Sequence, residues 1–108
     1  MNLEQIRLVL DYPLMDDTTK ENLIIQILSR DSKVIPTILS ILENERKSSK
    51  ELILDMNLEL SRCHIAIDKP EMIQQKNGFT RDFLRENVKN FYIKYKDVIG
   101  HCFNYKFE

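Results

Sequence analysis

A chain of 108 residues, 43% of them hydrophobic and 31% charged, has the composition of a globular domain and not that of a disordered protein. Apolar runs such as Leu23–Ile25 and Leu52–Leu54 are far shorter than the roughly 20 residues of a membrane span, so no membrane contact is expected. Two glycines, three prolines and no tryptophan provide little of the turn chemistry that a sheet protein needs. The composition therefore predicts an all-α fold, a small bundle of four to five helices within one domain.

The N-terminal sequence and the cysteine content indicate where such a chain would work. Residues 1–5 lack the basic and then apolar regions of a secretory signal peptide. We therefore expect a cytoplasmic location, with both cysteines reduced. A small chain rich in Ile, Lys and Asn and without motifs also suits a phage or mobile-element component, which would place it in a virion.

The net charge is only −1, but it is divided unevenly along the chain. Residues 1–75 contain nine Lys/Arg and thirteen Asp/Glu, a net charge of −4, whereas residues 76–108 contain seven and four, a net charge of +3. Within the single domain we distinguish an acidic helical core, 1–69, from a basic, aromatic C-terminal helix and tail, 70–108. Either this asymmetry steers the chain onto a second copy or an acidic partner, or the basic end lies on the acidic part of its own chain.

Apolar spacing and capping residues predict the first three helices. A helix over residues 3–11 ends before Pro13, because the residue before a proline avoids the helical region. The next helix is predicted to begin at Thr18, which caps it while Glu21 reaches back in a capping box. A third helix is capped by Asp31 or Ser32, runs to about Glu45 and carries Pro36 in its first turn, where the missing amide hydrogen costs nothing.

Residues 33–67 form either one long helix or a helical hairpin, depending on residues 46–50. As a turn, this segment joins two antiparallel helices; as a solvated stretch of helix, it makes a rod roughly 50 Å long. The heptad frame continues through Arg46 and Ser49 without a phase shift. The segment also contains no Gly, Pro or Asn, which such a turn usually has. We therefore favour one continuous helix.

The C-terminal part is predicted to contain a helix followed by an aromatic tail. Thr80 caps a helix over residues 81–99, and Gly100 is placed as the residue that ends it. Three aromatic residues then alternate with polar ones, which predicts an extended tail with one aromatic face: Phe103, Tyr105 and Phe107. This tail either meets a partner or folds back on its own bundle.

An apolar stripe in residues 53–67 is the strongest functional signal. Its members recur at spacings of three and four residues, on one face of a helix: Ile53, Met56, Leu60, Cys63 and Ile67. Such a face has to be buried against another helix. We therefore predict a non-enzymatic, coiled-coil-like interaction or structural protein that docks on a protein partner or on itself as a homo-oligomer, with this stripe as the interface.

The last predicted helix also has a basic stripe beside its aromatic face. At about 100° per residue, its members share one sector: Arg81, Arg85, Lys89, Tyr92 and Lys96. Basic side chains bind the phosphates of a nucleic acid, and aromatic rings beside them stack on its bases. The alternative function is therefore a nucleic-acid-binding regulator. The pI of about 6.1 lies below the value above about 9 that is typical of such domains, which favours an acidic protein partner.

A helix-turn-helix built from residues 18–30 and 32–45 belongs to the same alternative. Its second helix would have to enter the major groove of DNA. Glu43 and Glu45 would then lie near the phosphates, which argues against this arrangement.

Two cysteines and two histidines supply the ligand set of a structural zinc site: Cys63, His64, His101 and Cys102. Their spacing is poor, because adjacent helical residues project about 100° apart and zinc modules separate paired ligands by roughly two to four residues. The chain contains no nucleophile elbow and no glycine-rich phosphate loop. We therefore expect no metal, no cofactor and no enzymatic activity.

Overall fold

The computed structural model describes residues 2–63, 65 and 81–107, with side chains from residue 84 onward in the last range. Its regular secondary structure in these ranges is entirely helical: α1 (Asn2–Asp11), α2 (Asp17–Arg30), α3 (Val34–Asn44), α4 (Lys50–Arg62) and α5 (Arg81–Cys102). The prediction of a small all-α bundle is confirmed. Among the helices of this described part, none combines the length and the apolar character needed to cross a bilayer.

The helices pack in the spatial order α1, α2, α5, α3 and α4. The longest helix, α5, lies between α2 and α3, while α1 packs mainly on α2 and α4 packs mainly on α3. The largest fully buried side chains come from all five helices and belong to one hydrophobic core: Ile6, Ile24, Leu28, Ile35, Ile38, Leu42, Met56, Val88, Phe91, Tyr92 and Ile99. α1 and α4 are therefore the edge helices of the bundle.

α2 begins earlier than predicted, at Asp17. Its N-cap is Asp16, whose carboxylate accepts a hydrogen bond from the Thr19 N–H at 2.7 Å. This bond holds the pKa of Asp16 below its usual value. The predicted Thr18–Glu21 capping box is wrong, because aspartate is the better cap and the Glu21 carboxylate binds a lysine of α5 instead.

The prediction of one continuous helix over 33–67 is wrong, and the helical hairpin is the observed alternative. α3 ends at Asn44 and α4 begins at Lys50. The turn forms without glycine because Arg46 itself takes the left-handed backbone conformation, with φ 54°. That conformation costs about 1 kcal/mol for a residue with a Cβ atom, which is why the sequence argued against a turn here.

Hydrogen bonds from the backbone and from side chains hold this turn. The Lys47 N–H donates to the Leu42 carbonyl at 2.8 Å, the long-range bond of a Schellman motif. Ser49 then caps α4 by accepting from the Leu52 N–H at 3.2 Å. The Lys47 ammonium reaches across to the C-terminal tail and lies 3.1 Å from Asn104 Oδ1.

α5 continues through Gly100 to Cys102, so the prediction that Gly100 follows the helix is wrong. Asn104 takes that role, with φ 57°, and the Tyr105 N–H donates back to the Gly100 carbonyl at 2.9 Å. A Cβ atom at position 100 would lie 2.6 Å from the Tyr105 carbonyl oxygen. Glycine is needed here because the returning backbone passes too close for any side chain.

The aromatic tail folds back on its own helices, which is one of the two interpretations of its alternation. Phe103 and Phe107 are buried, and Tyr105 is half-buried. Phe107 meets two tyrosine rings edge-on, that of Tyr105 at 4.9 Å and that of Tyr92 at 6.3 Å between ring centroids. The tail therefore completes the core between α2 and α5.

Candidate interaction surface

The apolar stripe that the sequence singled out lies mostly inside the bundle. Ile53, Met56 and Leu60 are at most 5% exposed and belong to the core of this single chain. Cys63 is half-buried against the same core, and Ile67 lies outside the described residues. A second copy cannot reach the three buried side chains in this conformation, so the stripe as an interface stays a prediction.

The opposite face of α4 carries two exposed leucines, Leu54 at 60% and Leu58 at 51%. They are one helical turn apart and therefore neighbours on the helix surface. Glu51 and Asp55, both exposed, form a parallel acidic row beside them. Sequence reasoning missed these leucines because it followed the stripe alone. The signal was the spacing of Leu54 and Leu58, four residues apart and outside that stripe.

The basic stripe of α5 is divided between solvent and core. Arg85 and Lys89 are exposed, whereas Lys96 is half-buried and forms an ion pair with Glu21 of α2 at 2.7 Å. The side chain of Arg81 lies outside the described residues. Only two of the five predicted contacts are therefore seen on the surface.

Tyr92, the aromatic member of the predicted stripe, is 0% exposed and lies in the core. α2 and the tail cover its side of α5, so its ring cannot stack on a nucleic-acid base in this conformation. Its hydroxyl has no hydrogen-bond partner within the part of the chain that the structure describes. Burial, and then the nearby Glu21 carboxylate, raise the pKa of this phenol well above its usual value.

Two cations of the C-terminal part bind acidic residues of the first part. Lys96 pairs with Glu21, and Lys94 lies 3.7 Å from Glu59 of α4. The hydrogen bond to Glu21 raises the pKa of Lys96, whereas the pKa of Lys94 is raised first by the neighbouring Tyr95 side chain and then by the charge of Glu59. At these two places the basic end lies on the acidic part of its own chain, the second of the two interpretations of the charge asymmetry.

One isoleucine continues the exposed basic row of α5. Ile93 is 52% exposed and follows Arg85 and Lys89 at the same four-residue spacing. The three side chains therefore form one row along the outer surface of the helix. Neither cation has an ion-pair partner among residues 2–63, 65 and 84–107.

A buried lysine joins α1, α2 and the tail. Lys20 is 6% exposed, and its ammonium donates to the Leu10 carbonyl at 2.6 Å and to the Tyr105 hydroxyl at 3.3 Å. The Tyr105 hydroxyl in turn donates to Asp17 Oδ1 at 2.7 Å. A cation suits the last carbonyls of α1, where the helix dipole is negative. Because these hydrogen bonds connect α1, α2 and the tail, we conclude that the network stabilises the fold.

Cys102 offers no reactive thiol. Cys102 is 4% exposed, and burial raises the pKa of its thiol, which disfavours the nucleophilic thiolate. His64 of the candidate zinc ligands lies outside the described residues, and no group of three metal-ligating side chains occurs within them.

No family model matches the chain, and comparisons with curated proteins and with solved structures give no significant match.

Proposed function

We propose that this chain is a non-enzymatic helical interaction protein that self-associates or docks on a protein partner through an exposed apolar helix face. The observation that carries this proposal is the pair Leu54 and Leu58 on the outer face of the edge helix α4. Single exposed leucines are common on soluble proteins. Two of them one turn apart on a regular helix form a preorganised apolar row, which lowers the entropic cost of docking.

The size of this apolar row limits what it can do alone. Burying two half-exposed leucines contributes about 2 kcal/mol, the value for one fully buried leucine. A Kd of about 1 µM corresponds to about 8 kcal/mol, so the flanking side chains have to contribute as well. Glu51 and Asp55 beside the leucines select a partner that presents cations.

A second group of exposed apolar residues lies at the other edge of the bundle and is the weaker candidate. Leu8 is 70%, Tyr12 53% and Leu14 89% exposed. Only Leu8 of these three lies within a helix, because α1 ends at Asp11. The group is therefore less preorganised than the row on α4.

The proposed location of the protein is the cytoplasm, or a virion if the chain is a phage component.

Nucleic-acid binding through α5 is the alternative function. It rests on Arg85 and Lys89, which are exposed, since Tyr92 lies in the core and Lys96 is paired with Glu21. Two cations would give a salt slope of about −2 on duplex DNA, well below that of specific binders. Strong, salt-dependent DNA binding that is lost in the Arg85→Gln/Lys89→Gln variant would favour this alternative.

Site-specific crosslinking tests the proposed docking face. A photoreactive amino acid is placed at position 58, or at the exposed position 40 of α3 as the control, and the protein is irradiated in cells of its native host. We expect adducts at position 58 only, containing either a second copy or another protein identified by mass spectrometry. Equal adducts at both positions, or none at position 58, would contradict a docking role for this face.

A further inference from the structure

Two outer faces of this chain have complementary side chains. The acidic face of α4 consists of Glu51 and Asp55 beside Leu54 and Leu58. The basic face of α5 consists of Arg85, Lys89 and Ile93. Each face therefore combines two like charges at four-residue spacing with exposed aliphatic surface at its C-terminal end, and the charges are of opposite sign.

The spacing along the two helices also matches. In a parallel alignment that places Glu51 opposite Arg85, Asp55 falls opposite Lys89, because both pairs are four residues apart. Leu58 then falls within about 2 Å, along the axis, of the position opposite Ile93, at 1.5 Å rise per residue. In the antiparallel alignment that pairs the same charges, Glu51 lies opposite Lys89 and Asp55 opposite Arg85. Ile93 then falls opposite position 47, before the first residue of α4, and Leu58 falls opposite position 82, so the two apolar side chains do not meet. The parallel register thus satisfies both the charged and the apolar groups.

These faces cannot meet within one copy. α4 and α5 approach each other through other sides, which the Lys94–Glu59 ion pair marks. At about 100° per residue, Leu58 projects about 100° away from Glu59, and Ile93 projects equally far from Lys94. The basic face of α5 therefore points away from the contact between the two helices. On α4, Leu54 and Leu58 lie to one side of this contact, and Asp55 lies next to it, one turn before Glu59. All these side chains are exposed and available to a second copy.

We infer that α4 of one copy docks in parallel on α5 of a second copy, with Glu51 and Asp55 against Arg85 and Lys89, and Leu58 against Ile93. This inference rests on the proposed function and names the partner. Two α4 faces would bring acids together and two α5 faces would bring bases together, so the contact is heterologous. A pair of copies joined in this way retains one unused α4 face and one unused α5 face, which leads to a ring or an open chain of subunits.

Blocking one face at a time tests this geometry on the full-length protein. Leu54→Gln/Leu58→Gln removes the apolar row of α4, and Ile93→Asp places an acid opposite the acidic face. Ser40→Gln on α3 is the control, since position 40 is exposed and lies outside both faces. Circular dichroism verifies that all variants keep their helices, as expected for exposed positions.

Sedimentation velocity and light scattering then give the assembly state. For the wild type and the Ser40→Gln control, the average mass is expected to exceed the 12.9 kDa of one chain and to increase with protein concentration. Either face variant alone is expected to stay at 12.9 kDa. Mixed in equal amounts, the two face variants should form a dimer that grows no further, because only one intact α4 and one intact α5 face remain per pair. An isologous contact would not be restored by mixing, so a mixture that stays monomeric contradicts the inference.

Charge reversal isolates the electrostatic part. Glu51→Lys/Asp55→Lys should abolish association, and adding Arg85→Glu/Lys89→Glu in the same chain should restore it. Association of the wild type should also weaken with added salt, because these charges are exposed. A wild type that stays monomeric up to about 1 mM overturns the inference. In that case, adducts from position 58 with another protein would leave the proposed function standing, whereas their absence would remove both.

Discussion

α4 and α5 carry the two strongest patterns in the sequence, and the two helices lie in different surroundings. On α4 the apolar stripe faces the core as a regular amphipathic helix should, and the outer face keeps Leu54 and Leu58 in solvent. On α5, which lies between α2 and α3, the described aromatic side chains are buried, and Lys96 of the basic stripe pairs with Glu21 of α2. Periodicity identifies the residues that share a helix face. It does not identify what covers that face, because the covering elements are distant in the sequence.

The largest expected change in stability comes from comparing a substitution on the buried face of α4 with one on its exposed face. Leu60→Glu would place a carboxylate in the core at a position that is 5% exposed, and we expect a loss of several kcal/mol, about 3–5, in the free energy of unfolding. Leu58→Glu is the matched control on the same helix. At 51% exposure it should change the stability of the monomer by no more than about 0.5 kcal/mol. Urea denaturation measures both, and equal losses would contradict the assignment of the two faces.

The sequence was sufficient where local chemistry decides the structure. Pro13 and Pro36 placed a helix end and a helix start because proline restricts its own backbone and that of its neighbour. The all-α class followed from composition. The turn at Arg46 was not predictable in this way, because local preference disfavours a left-handed arginine and the hydrogen bonds that offset its cost include one to Asn104 of the tail.

The surroundings of α5 could be predicted even less. Lys20 looks like a solvated lysine in the sequence, yet it binds Tyr105, which is 85 positions away along the chain. Tyr92 looked like part of a basic surface because helical angles alone place it beside Lys89. α2 and the tail cover its ring, and the return of the tail depends on the turn at Asn104. Long-range contacts of this kind leave no periodic signal.

Gly100→Ala tests whether the return of the tail sets the surroundings of α5. The new methyl group would meet the Tyr105 carbonyl oxygen at 2.6 Å, so the tail or the helix has to shift. We expect a net loss of about 1–2 kcal/mol, since the clash outweighs the higher helix propensity of alanine. The near-ultraviolet circular dichroism of the tail tyrosine should change as well. Ser40→Ala, at an exposed position of α3, is the control, and a stabilised Gly100→Ala protein would refute the close approach.

Tyr92→Phe tests the buried hydroxyl of α5, and we expect it to stabilise the protein, whereas Gly100→Ala should destabilise it. The hydroxyl has no partner among the described residues, so removing it should stabilise the protein by about 1 kcal/mol at neutral pH. Because burial raises the pKa of Tyr92 in the folded state, the unfolded chain ionises first, near pH 10.0. The wild type therefore loses stability as the pH rises above that value.

The variant lacks this ionisation, so its advantage over the wild type should grow by up to about 1.4 kcal/mol per pH unit above the phenol's ordinary pKa. Thermal unfolding of both proteins between neutral and alkaline pH measures the difference. A constant difference over this range would contradict the buried, protonated state of Tyr92. A destabilised variant at neutral pH would show that the hydroxyl makes a stabilising contact.

The smallest expected effect compares the ends of α3 and α5, which both close through a left-handed residue. Arg46 and Asn104 have φ values of 54° and 57°. Asparagine tolerates this conformation better than arginine, whereas glycine adopts it freely. We therefore expect Arg46→Gly to raise the free energy of unfolding by about 0.5–1 kcal/mol.

Asn104→Gly should raise the free energy of unfolding by less than Arg46→Gly does. It should lower that free energy if the contact between Asn104 Oδ1 and the Lys47 ammonium, at 3.1 Å, contributes to stability. Chemical denaturation of the two single variants and of the double variant measures the change in the free energy of unfolding for each. Additive effects would mean that the two helix ends act independently. A non-additive result would show that Lys47, which follows the turn at the end of α3 and reaches the tail beyond α5, couples the hairpin to the C-terminal end of the bundle. If Arg46→Gly destabilised the protein instead, the left-handed conformation of Arg46 would be refuted, because glycine at a right-handed or extended position only adds entropy to the unfolded chain.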